Sequence, residues 1–204
     1  MRPVEAIMRT APVIPVLVID DVGEAETIAR ALVAGGLRVL EVTLRTAAGI
    51  GAIKAMKRVE GAIVGAGTVT NPDELHAALD AGSEFIVSPG LTDKLGEAAV
   101  AAGIPFLPGI ASASELMRGL DLGLTHFKFF PAMANGGLPA LKALAGPFGQ
   151  CRFCPTGGIT EASAPEWLAF DPVLCVGGSW VVPKGPVDAA AIEATARAAA
   201  SLPR

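Results

Sequence analysis

The stretch FIVSPGLTDKLGEAAVAAGIPFLPGI, residues 85–110, contains one complete unit of the fold that this sequence predicts. It opens with the apolar run FIVSP (85–89) and closes with a second apolar run, PFLPGI (105–110). The segment between them begins near Thr92, a residue type that caps helices, and ends at Gly103, a residue type that terminates them. The stretch therefore predicts a strand, a helix and a second strand that is parallel to the first.

The same alternation recurs along the whole chain. Asn71 and Ser112 have the character of helix caps, and Gly35, Gly82 and Gly123 stand where further helices are expected to end. The apolar runs start 20 to 26 residues apart, and they are VIPVLVI (13–19), LRVLEVTL (37–44), IVGAGTV (63–69), FIVSP (85–89), PFLPGI (105–110), HFKFFP (126–131), RFCPTGG (152–158) and VLCVGGS (173–179).

Eight strand–helix units with right-handed crossovers predict an α/β protein of the (β/α)8, or TIM, barrel type. We expect a single domain over residues 1–204, with a short N-terminal helix at about residues 3–10 before the first strand. The alternative is an open, doubly wound sheet. Its nucleotide-binding fingerprint would have to be GAGTVT (65–70), which lacks the third glycine and does not lead directly into a helix. The barrel is therefore favoured.

The composition restricts the class of partner. The chain is 51% hydrophobic and 18% charged, with a net charge of −4, so it offers no electrostatic case for binding nucleic acid or an anionic membrane. Its longest run without charged or strongly polar residues, 98–111, is shorter than the roughly 20 residues that cross a bilayer. The N-terminus has no continuous apolar segment of the signal-peptide kind. We expect a cytoplasmic protein.

Metal ligands are scarce in the sequence. Cys151 and Cys154 form a CxxC pair, but no second pair completes a zinc site, so these cysteines and Cys175 are expected to be buried, reduced thiols. His76 falls in a predicted surface helix, and His126 falls at the N-terminal end of its predicted strand. A metal-dependent enzyme is thus disfavoured, and we expect neither a metal nor a cofactor.

Charged side chains share the inward face of two predicted strands. Side chains alternate across a strand, so in LEVTLR (40–45) Glu41 and Arg45 lie on one face, and in HFKFFP (126–131) Lys128 and Phe130 do. Active sites of barrels lie at the carboxyl ends of the strands. Buried ion pairs, Glu41 with Lys128 or with Arg45, are the structural alternative. Two charges near strand ends together with a buried amine favour a functional site.

Glycines follow the last two predicted strands. Gly157 and Gly158 follow the seventh, and Gly177, Gly178 and Ser179 end the eighth. These two loops form the common phosphate site of barrels, through backbone N–H groups and a helix N-terminus, and glycine lets the backbone approach the phosphate. Tight turns are the alternative reason for such glycines. The pairing at both positions favours a phosphorylated small molecule.

Eight short motifs follow one another along the chain: LEVTLRT (40–46), GAGTV (65–69), SPG (88–90), PGI (108–110), FKFFPA (127–132), AGPF (145–148), RFCPTGGI (152–159) and GGSW (177–180). On these motifs the chain closely resembles the class I family of 2-keto-3-deoxy-6-phosphogluconate (KDPG) and 4-hydroxy-2-oxoglutarate (KHG) aldolases, from about residue 15 to residue 182. The resemblance implies a metal-free, homotrimeric barrel in which Lys128 forms a Schiff base and Glu41 is the general acid/base. It also implies that Arg45 and Thr68 hold the substrate carboxylate near Pro89. The remaining expected site residues are Phe130 and Thr156 around the substrate, and Gly157, Gly158, Gly178 and Ser179 around the phosphate.

The activity that the resemblance implies is the cleavage of KDPG to pyruvate and glyceraldehyde 3-phosphate. Many members of the family also cleave KHG to pyruvate and glyoxylate. An uncharged lysine must attack the ketone for such a reaction to begin. Two alternatives stay open at this point. One is an aldolase for 2-keto-3-deoxy-6-phosphogalactonate, a substrate that differs from KDPG in the configuration at C4. The other is a barrel that binds a sugar phosphate without catalysis, which leaves the buried charges unexplained.

Overall fold

The computed structural model describes residues 3–183 and 185–203, which alternate between parallel strands and helices. The strands are β1 (Val13–Leu17), β2 (Val39–Thr43), β3 (Ile63–Gly67), β4 (Ile86–Val87), β5 (Phe106–Leu107), β6 (Gly109–Ile110), β7 (His126–Phe129), β8 (Arg152–Pro155) and β9 (Val176–Gly178). The helices are α1 (Val4–Met8), α2 (Val22–Ala34), α3 (Gly49–Met56), α4 (Pro72–Asp80), α5 (Asp93–Ala102), α6 (Ala113–Asp121), α7 (Gly137–Ala145), α8 (Ala164–Leu168) and α9 (Ala189–Ala200).

The strands pair in parallel, in an order that follows the chain. A six-stranded sheet has the order β5-β4-β3-β2-β1-β9, and a three-stranded sheet has the order β6-β7-β8. The first and last strands are therefore neighbours, with Ile14 of β1 aligned with Gly177 of β9. Isolated parallel bridges join Phe153 to Val173 and Thr156 to Gly177, between β8 and the chain at β9. The fold is thus an α/β fold with a curled parallel sheet, and the order lacks the reversal that defines a doubly wound sheet.

The fifth apolar run corrects one sequence prediction. The run 105–110 predicts one strand, but the structure divides it into β5 and β6, each two residues long, on either side of Pro108. Proline has no N–H group to donate to a neighbouring strand. At the next residue, Gly109, a β-carbon would lie only 2.2 Å from the backbone oxygen of Pro89. A missing donor and a close backbone approach explain the interruption at this point.

Two apolar layers lie on the opposite faces of the strands. The outer layer packs the helices against outward-facing residues such as Leu40, Val42 and Phe127. A separate inner cluster contains alternating residues from strands of both sheets together with two residues of α1, and its members are Ile7, Met8, Ile14, Val39, Ile63, Phe85, Val87, Leu107, Cys154, Leu174 and Cys175. The alternation predicted for β2 and β7 is confirmed by this division. Helix α1, which lies within the predicted range of 3–10, covers the inner cluster at its N-terminal end.

Helix ends follow the signals in the sequence. The side chains of Asn71, Thr92 and Ser112 each accept a hydrogen bond from a backbone N–H in the first turn of α4, α5 and α6. Gly103 ends α5 in the left-handed conformation, with φ of 64°. Gly35 is the C-cap of α2, as predicted, and the residue after it, Gly36, is left-handed with φ of 96°. Local capping chemistry therefore sets most of these boundaries.

Two further expectations can be compared with the structure. Cys151, Cys154 and Cys175 are buried and form no disulfide, which confirms the prediction of reduced core thiols. None of the helices within residues 3–183 and 185–203 is long and apolar enough to span a bilayer.

Candidate active site

A buried ion pair lies between strands β2 and β7. The Nζ atom of Lys128 donates a hydrogen bond to Oε1 of Glu41 over 3.0 Å, and each side chain is only 4% exposed. The two residues are 87 positions apart in the sequence, so only the curling of the sheet brings them together. Of the two pairings considered for Glu41, the structure shows the one with Lys128.

An apolar ring completes the surroundings of the amine. The Nζ atom of Lys128 lies 5.3 Å from the centroid of the Phe130 ring, a distance at which a cation is attracted by the face of the ring. On β8, Cys154 is aligned with Lys128 and is likewise buried. The amine therefore has one carboxylate partner in an apolar environment that is nearly closed to water.

A cavity of about 480 Å³ opens above this pair, at the carboxyl ends of the strands. Its lining includes eight residues that the sequence predicts for the site, which are Arg45, Thr68, Pro89, Phe130, Thr156, Gly157, Gly158 and Ser179. Lys128 and Glu41 do not line the cavity; they are buried next to it, with Phe130 shared between the amine and the cavity. Gly178 also lies outside the lining, because the ring of Trp180 covers its α-carbon.

Arg45 and Thr68 meet on one wall of the cavity. The Nε atom of Arg45 donates to Oγ1 of Thr68 over 3.2 Å. Thr68 has φ of 61°, in the left-handed region that a β-branched residue adopts only at a cost in free energy. Such conformations cluster at ligand sites, where the surrounding structure holds them. The rest of the guanidinium group presents a fixed positive charge with planar donors suited to a carboxylate.

The loops after β7 and β8 form another part of the wall. The backbone N–H of Ala132 donates to the oxygen of Thr156 over 2.8 Å, and that of Met133 donates to the oxygen of Gly157 over 3.1 Å. Gly157 and Gly158 have φ of 105° and 77°, conformations that favour glycine. These hydrogen bonds fix a glycine-rich backbone beside the cavity.

Ser179 lies on the same cavity as Gly157 and Gly158, just after β9. The bridge between Thr156 and Gly177 links the ends of β8 and β9, so the two glycine-containing loops are adjacent, as the sequence predicts. No helix begins directly after β9 in the described part of this loop, residues 179–183 and 185–187, and α9 starts only at Ala189. The loop therefore offers backbone groups and a hydroxyl rather than the expected helix N-terminus.

Three residues of the cavity are missing from the site that the sequence predicts, namely Val16, Ile159 and Gly177. Val16 shares the inward face of β1 with Ile14, so the alternation along the first strand could have identified it. Gly177 precedes Gly178, and the sequence predicts only Gly178 as a phosphate-binding residue. A β-carbon at Gly177 would lie 2.2 Å from Oγ1 of Thr156.

The two histidines lie away from the cavity. His126 is on the far side of β7 from the carboxyl ends, where its Nε2 atom lies 3.6 Å from Oε2 of Glu5 in α1. Burial lowers the pKa of His126, against the opposing attraction of the Glu5 carboxylate. His76 is exposed on α4, as predicted. Among the described residues no group of three or more His, Cys, Asp or Glu side chains could hold a metal ion.

The chain matches the family model described as KDPG and KHG aldolase over residues 4–197. It is 56% identical over 186 residues to the KHG/KDPG aldolase of Escherichia coli strain K12, a match that covers 91% of this chain and 87% of that protein. The structure of the KDPG aldolase of Zymomonas mobilis ZM4 with 3-phosphoglycerate is similar, with 60% identity, a TM-score of 0.98, and coverage of 100% of this chain and 98% of that one.

A third similar structure is that of the KDPG aldolase of Legionella pneumophila, with pyruvate captured at low pH as a covalent carbinolamine intermediate. It is 45% identical, with a TM-score of 0.95, and the match covers 98% of this chain and 99% of that chain.

Proposed function

The chain belongs to the KDPG and KHG aldolase family, and we propose which of its residues carry out the reaction of that family. The reaction is that of a class I, carbon–carbon lyase that cleaves KDPG to pyruvate and glyceraldehyde 3-phosphate. The observation that carries the assignment is the contact of 3.0 Å between Nζ of Lys128 and Oε1 of Glu41, both of which are buried beside the cavity.

The first step joins the substrate to Lys128. Glu41 takes a proton from the amine, and the neutral Nζ attacks the C2 carbonyl carbon to form a carbinolamine. Glu41 then returns a proton to the departing hydroxyl group, which leaves as water, and the nitrogen lone pair forms the protonated imine. A carboxylate in direct contact with the amine can perform both transfers without moving, because its Oε1 atom is already within hydrogen-bond distance.

The second step breaks the C3–C4 bond. The Glu41 carboxylate takes the proton of the C4 hydroxyl group, the electrons of the C3–C4 bond move to the imine, and glyceraldehyde 3-phosphate leaves. The enamine that remains on Lys128 is protonated at C3, and water hydrolyses the imine to release pyruvate and the free amine. The positive imine nitrogen accepts the electrons that the cleavage releases.

The cavity supplies charge and shape for both ends of the substrate. Arg45, held by its contact with Thr68, pairs with the α-carboxylate and so fixes C2 relative to Lys128. Pro89, Phe130 and Thr156 enclose the carbon chain. Gly157, Gly158 and Ser179 bind the phosphate with backbone N–H groups and a hydroxyl, and Gly178 contributes by shaping the β9 end of that loop.

KHG is the second substrate that this arrangement favours. It has the same keto-acid end as KDPG but carries no phosphate, so it needs Lys128, Glu41 and Arg45 and none of the groups around Ser179.

A sugar-phosphate-binding barrel without catalysis would leave a 4%-exposed ion pair beside the cavity with no purpose, since such pairs contribute little to stability. The aldolase for the phosphogalactonate-derived substrate is distinguished by comparing turnover of the two C4 epimers, and we expect KDPG to be preferred.

We also infer the assembly of the whole chain. The pairing of β1 with β9, the bridges between β8 and β9, and the inner cluster shared by both sheets support one closed (β/α)8 barrel and a single domain. The family resemblance supports a homotrimer that works in the cytoplasm. Exposed large apolar side chains support an assembly of chains, and they are Val18, Val22, Val100, Met117 and Met133. Light scattering after gel filtration should give the mass of three 20.6 kDa chains.

Turnover of two lysine variants tests the assignment of Lys128. Pyruvate release from KDPG is followed with lactate dehydrogenase. Lys128→Met should lower kcat by at least about 1,000-fold, the scale for loss of a covalent nucleophile. Lys142→Met is the matched control, because Nζ of Lys142 also lies over a phenylalanine ring, 5.7 Å from the centroid of Phe170, but on the surface. Full activity of the Lys128 variant would refute the assignment.

A further inference from the structure

Gly67, the last residue of β3, lies directly against the carboxylate of Glu41. A β-carbon built at Gly67 would lie 2.3 Å from Oε1 of Glu41, 2.6 Å from its Cγ and 2.8 Å from its Cδ. Real β-carbons essentially never make contacts shorter than 3.0 Å, so a side chain at residue 67 would require Glu41 or the backbone to shift. The carboxylate therefore lies on bare backbone at this point.

The backbone of Gly67 cannot move away to make room. Gly67 is aligned with Thr43 of β2, and its oxygen accepts a hydrogen bond of 2.8 Å from the N–H of Leu44. The preceding residue, Ala66, donates to the oxygen of Phe85 on the other side of the strand. Because β3 is hydrogen-bonded on both edges, the flexible end of the Glu41 side chain would have to move instead. The same oxygen that the β-carbon would strike is the one that holds Lys128.

We propose that Gly67 is a positioning residue for the reaction: its missing side chain holds the Glu41 carboxylate within reach of Lys128. The inference rests on the proposed role of Glu41 as the general acid/base. Gly67 touches neither substrate nor amine in this arrangement. It acts only through the position of Oε1 of Glu41. Displacing that oxygen by about 1 Å is enough to weaken proton transfer greatly, since general acid/base groups work at hydrogen-bond distance.

Gly65 provides a matched control in the same strand. It lies two residues before Gly67, on the same face of β3, and it is aligned with Glu41 in the strand register. A β-carbon at Gly65 would lie 2.5 Å from the ring of Phe85, which is fully buried in the inner cluster. A buried ring has less freedom to move than the end of a glutamate. Gly65→Ala should thus disturb packing, and Gly67→Ala should disturb the chemistry.

The experiment compares the two alanine variants by thermal unfolding and by steady-state turnover of KDPG. Gly67→Ala should lower kcat by about 100-fold, within the range that general acid/base catalysis contributes, and should change KM by less than about threefold. Its Tm should stay within ~4 °C of the parent enzyme. Gly65→Ala should lower the Tm by more than ~4 °C. When it is assayed well below its own Tm, its kcat should stay within about threefold of the parent value, because the substitution leaves Glu41 in place.

Measuring the effect of Gly67→Ala in two backgrounds distinguishes a positioning role from a purely structural one. Glu41→Ala removes Cγ and the carboxyl group, so no Glu41 atom that a β-carbon at residue 67 would overlap remains. Adding Gly67→Ala to Glu41→Ala should then lower the residual kcat by less than about threefold, against about 100-fold in the parent enzyme. The rate at which borohydride traps pyruvate on Lys128 should fall with kcat in the Gly67 single variant, while the pyruvate concentration for half-saturation stays constant.

The outcomes separate this inference from the proposed function. If Glu41→Gln keeps full turnover, the acid/base assignment itself fails. If Glu41→Gln is inactive but Gly67→Ala turns over at the parent rate, only the positioning role of Gly67 is overturned. Equal fold losses from Gly67→Ala in the Glu41 and Glu41→Ala backgrounds would also overturn it, because the effect would then not pass through the carboxylate.

Discussion

The ion pair of Lys128 and Glu41 allows a stability prediction that is independent of turnover. Both side chains are 4% exposed and meet at 3.0 Å, so neither charge can be satisfied by water if its partner is removed. Lys128→Met keeps the length of the stem and its packing on Phe130 but removes the charge. The variant leaves the Glu41 carboxylate buried without its cation, which is the costly arrangement for a buried pair.

The expected loss follows from the burial. Breaking a buried pair by removing one partner costs about 3–5 kcal/mol of the free energy of unfolding. For a chain of 204 residues this corresponds to a Tm lower by roughly 6 °C or more, at ~2–4 °C per kcal/mol. Replacing both partners, as Lys128→Met with Glu41→Leu, should recover most of the loss, because an apolar pair of similar volume is about as stable as the ion pair.

Urea unfolding at one protein concentration measures this cycle, with Lys142→Met as the control. Lys142 is exposed, so its variant should stay within about 0.5 kcal/mol of the parent. The reasoning is refuted if Lys128→Met is as stable as the parent, or if the double variant loses the sum of the two single losses. Either result would mean that the two charges do not depend on each other in the folded chain.

Three other variants test separate parts of the account. Thr68→Gly should stabilise the fold by about 1 kcal/mol, because glycine adopts the left-handed conformation at φ of 61° without strain. It should also raise KM for KDPG, because Arg45 loses its partner hydroxyl. Urea unfolding and steady-state kinetics measure the two effects, and a less stable variant would contradict the claim that Thr68 is strained. Ser179→Ala should lower kcat/KM for KDPG by roughly tenfold and leave KHG cleavage within about twofold, because only KDPG carries a phosphate; equal losses for both would contradict the phosphate assignment. His126 has a lowered pKa, so the unfolded chain binds a proton more readily than the folded one, and its contribution to stability is complete above about pH 6.5 and is lost as the pH falls below that value. Unfolding curves from pH 5 to 8 should show a smaller acid loss in His126→Gln, and identical curves would contradict the assignment.

Much of the fold could be predicted because the deciding signals are local. The recurrence of apolar runs, the caps at Asn71, Thr92 and Ser112, and the left-handed Gly103 each depend on a few neighbouring residues. The interruption at Pro108 was missed because it depends on the approach of Gly109, at the start of β6, to the backbone of Pro89 in the loop after β4.

The candidate site was predictable to the extent that alternation along a strand determines which side chains face inward. Alternation places Glu41 and Lys128 on inward faces, and the structure brings them into contact. It could not reveal that Gly67 makes the contact possible, since a glycine at the end of a strand has several possible reasons. Val16 was overlooked because an apolar residue in a strand is usually part of the core. Contacts of this kind depend on the register between strands, which the sequence specifies only indirectly.

The central claim is that Lys128 forms the covalent bond to the substrate. The most direct measurement incubates the protein with pyruvate and sodium borohydride, digests it, and locates the reduced adduct by mass spectrometry. The account predicts one stable adduct on Lys128, slower labelling in Glu41→Gln, and none at that position in Lys128→Met. An adduct on another lysine, or no adduct on any lysine, would contradict it.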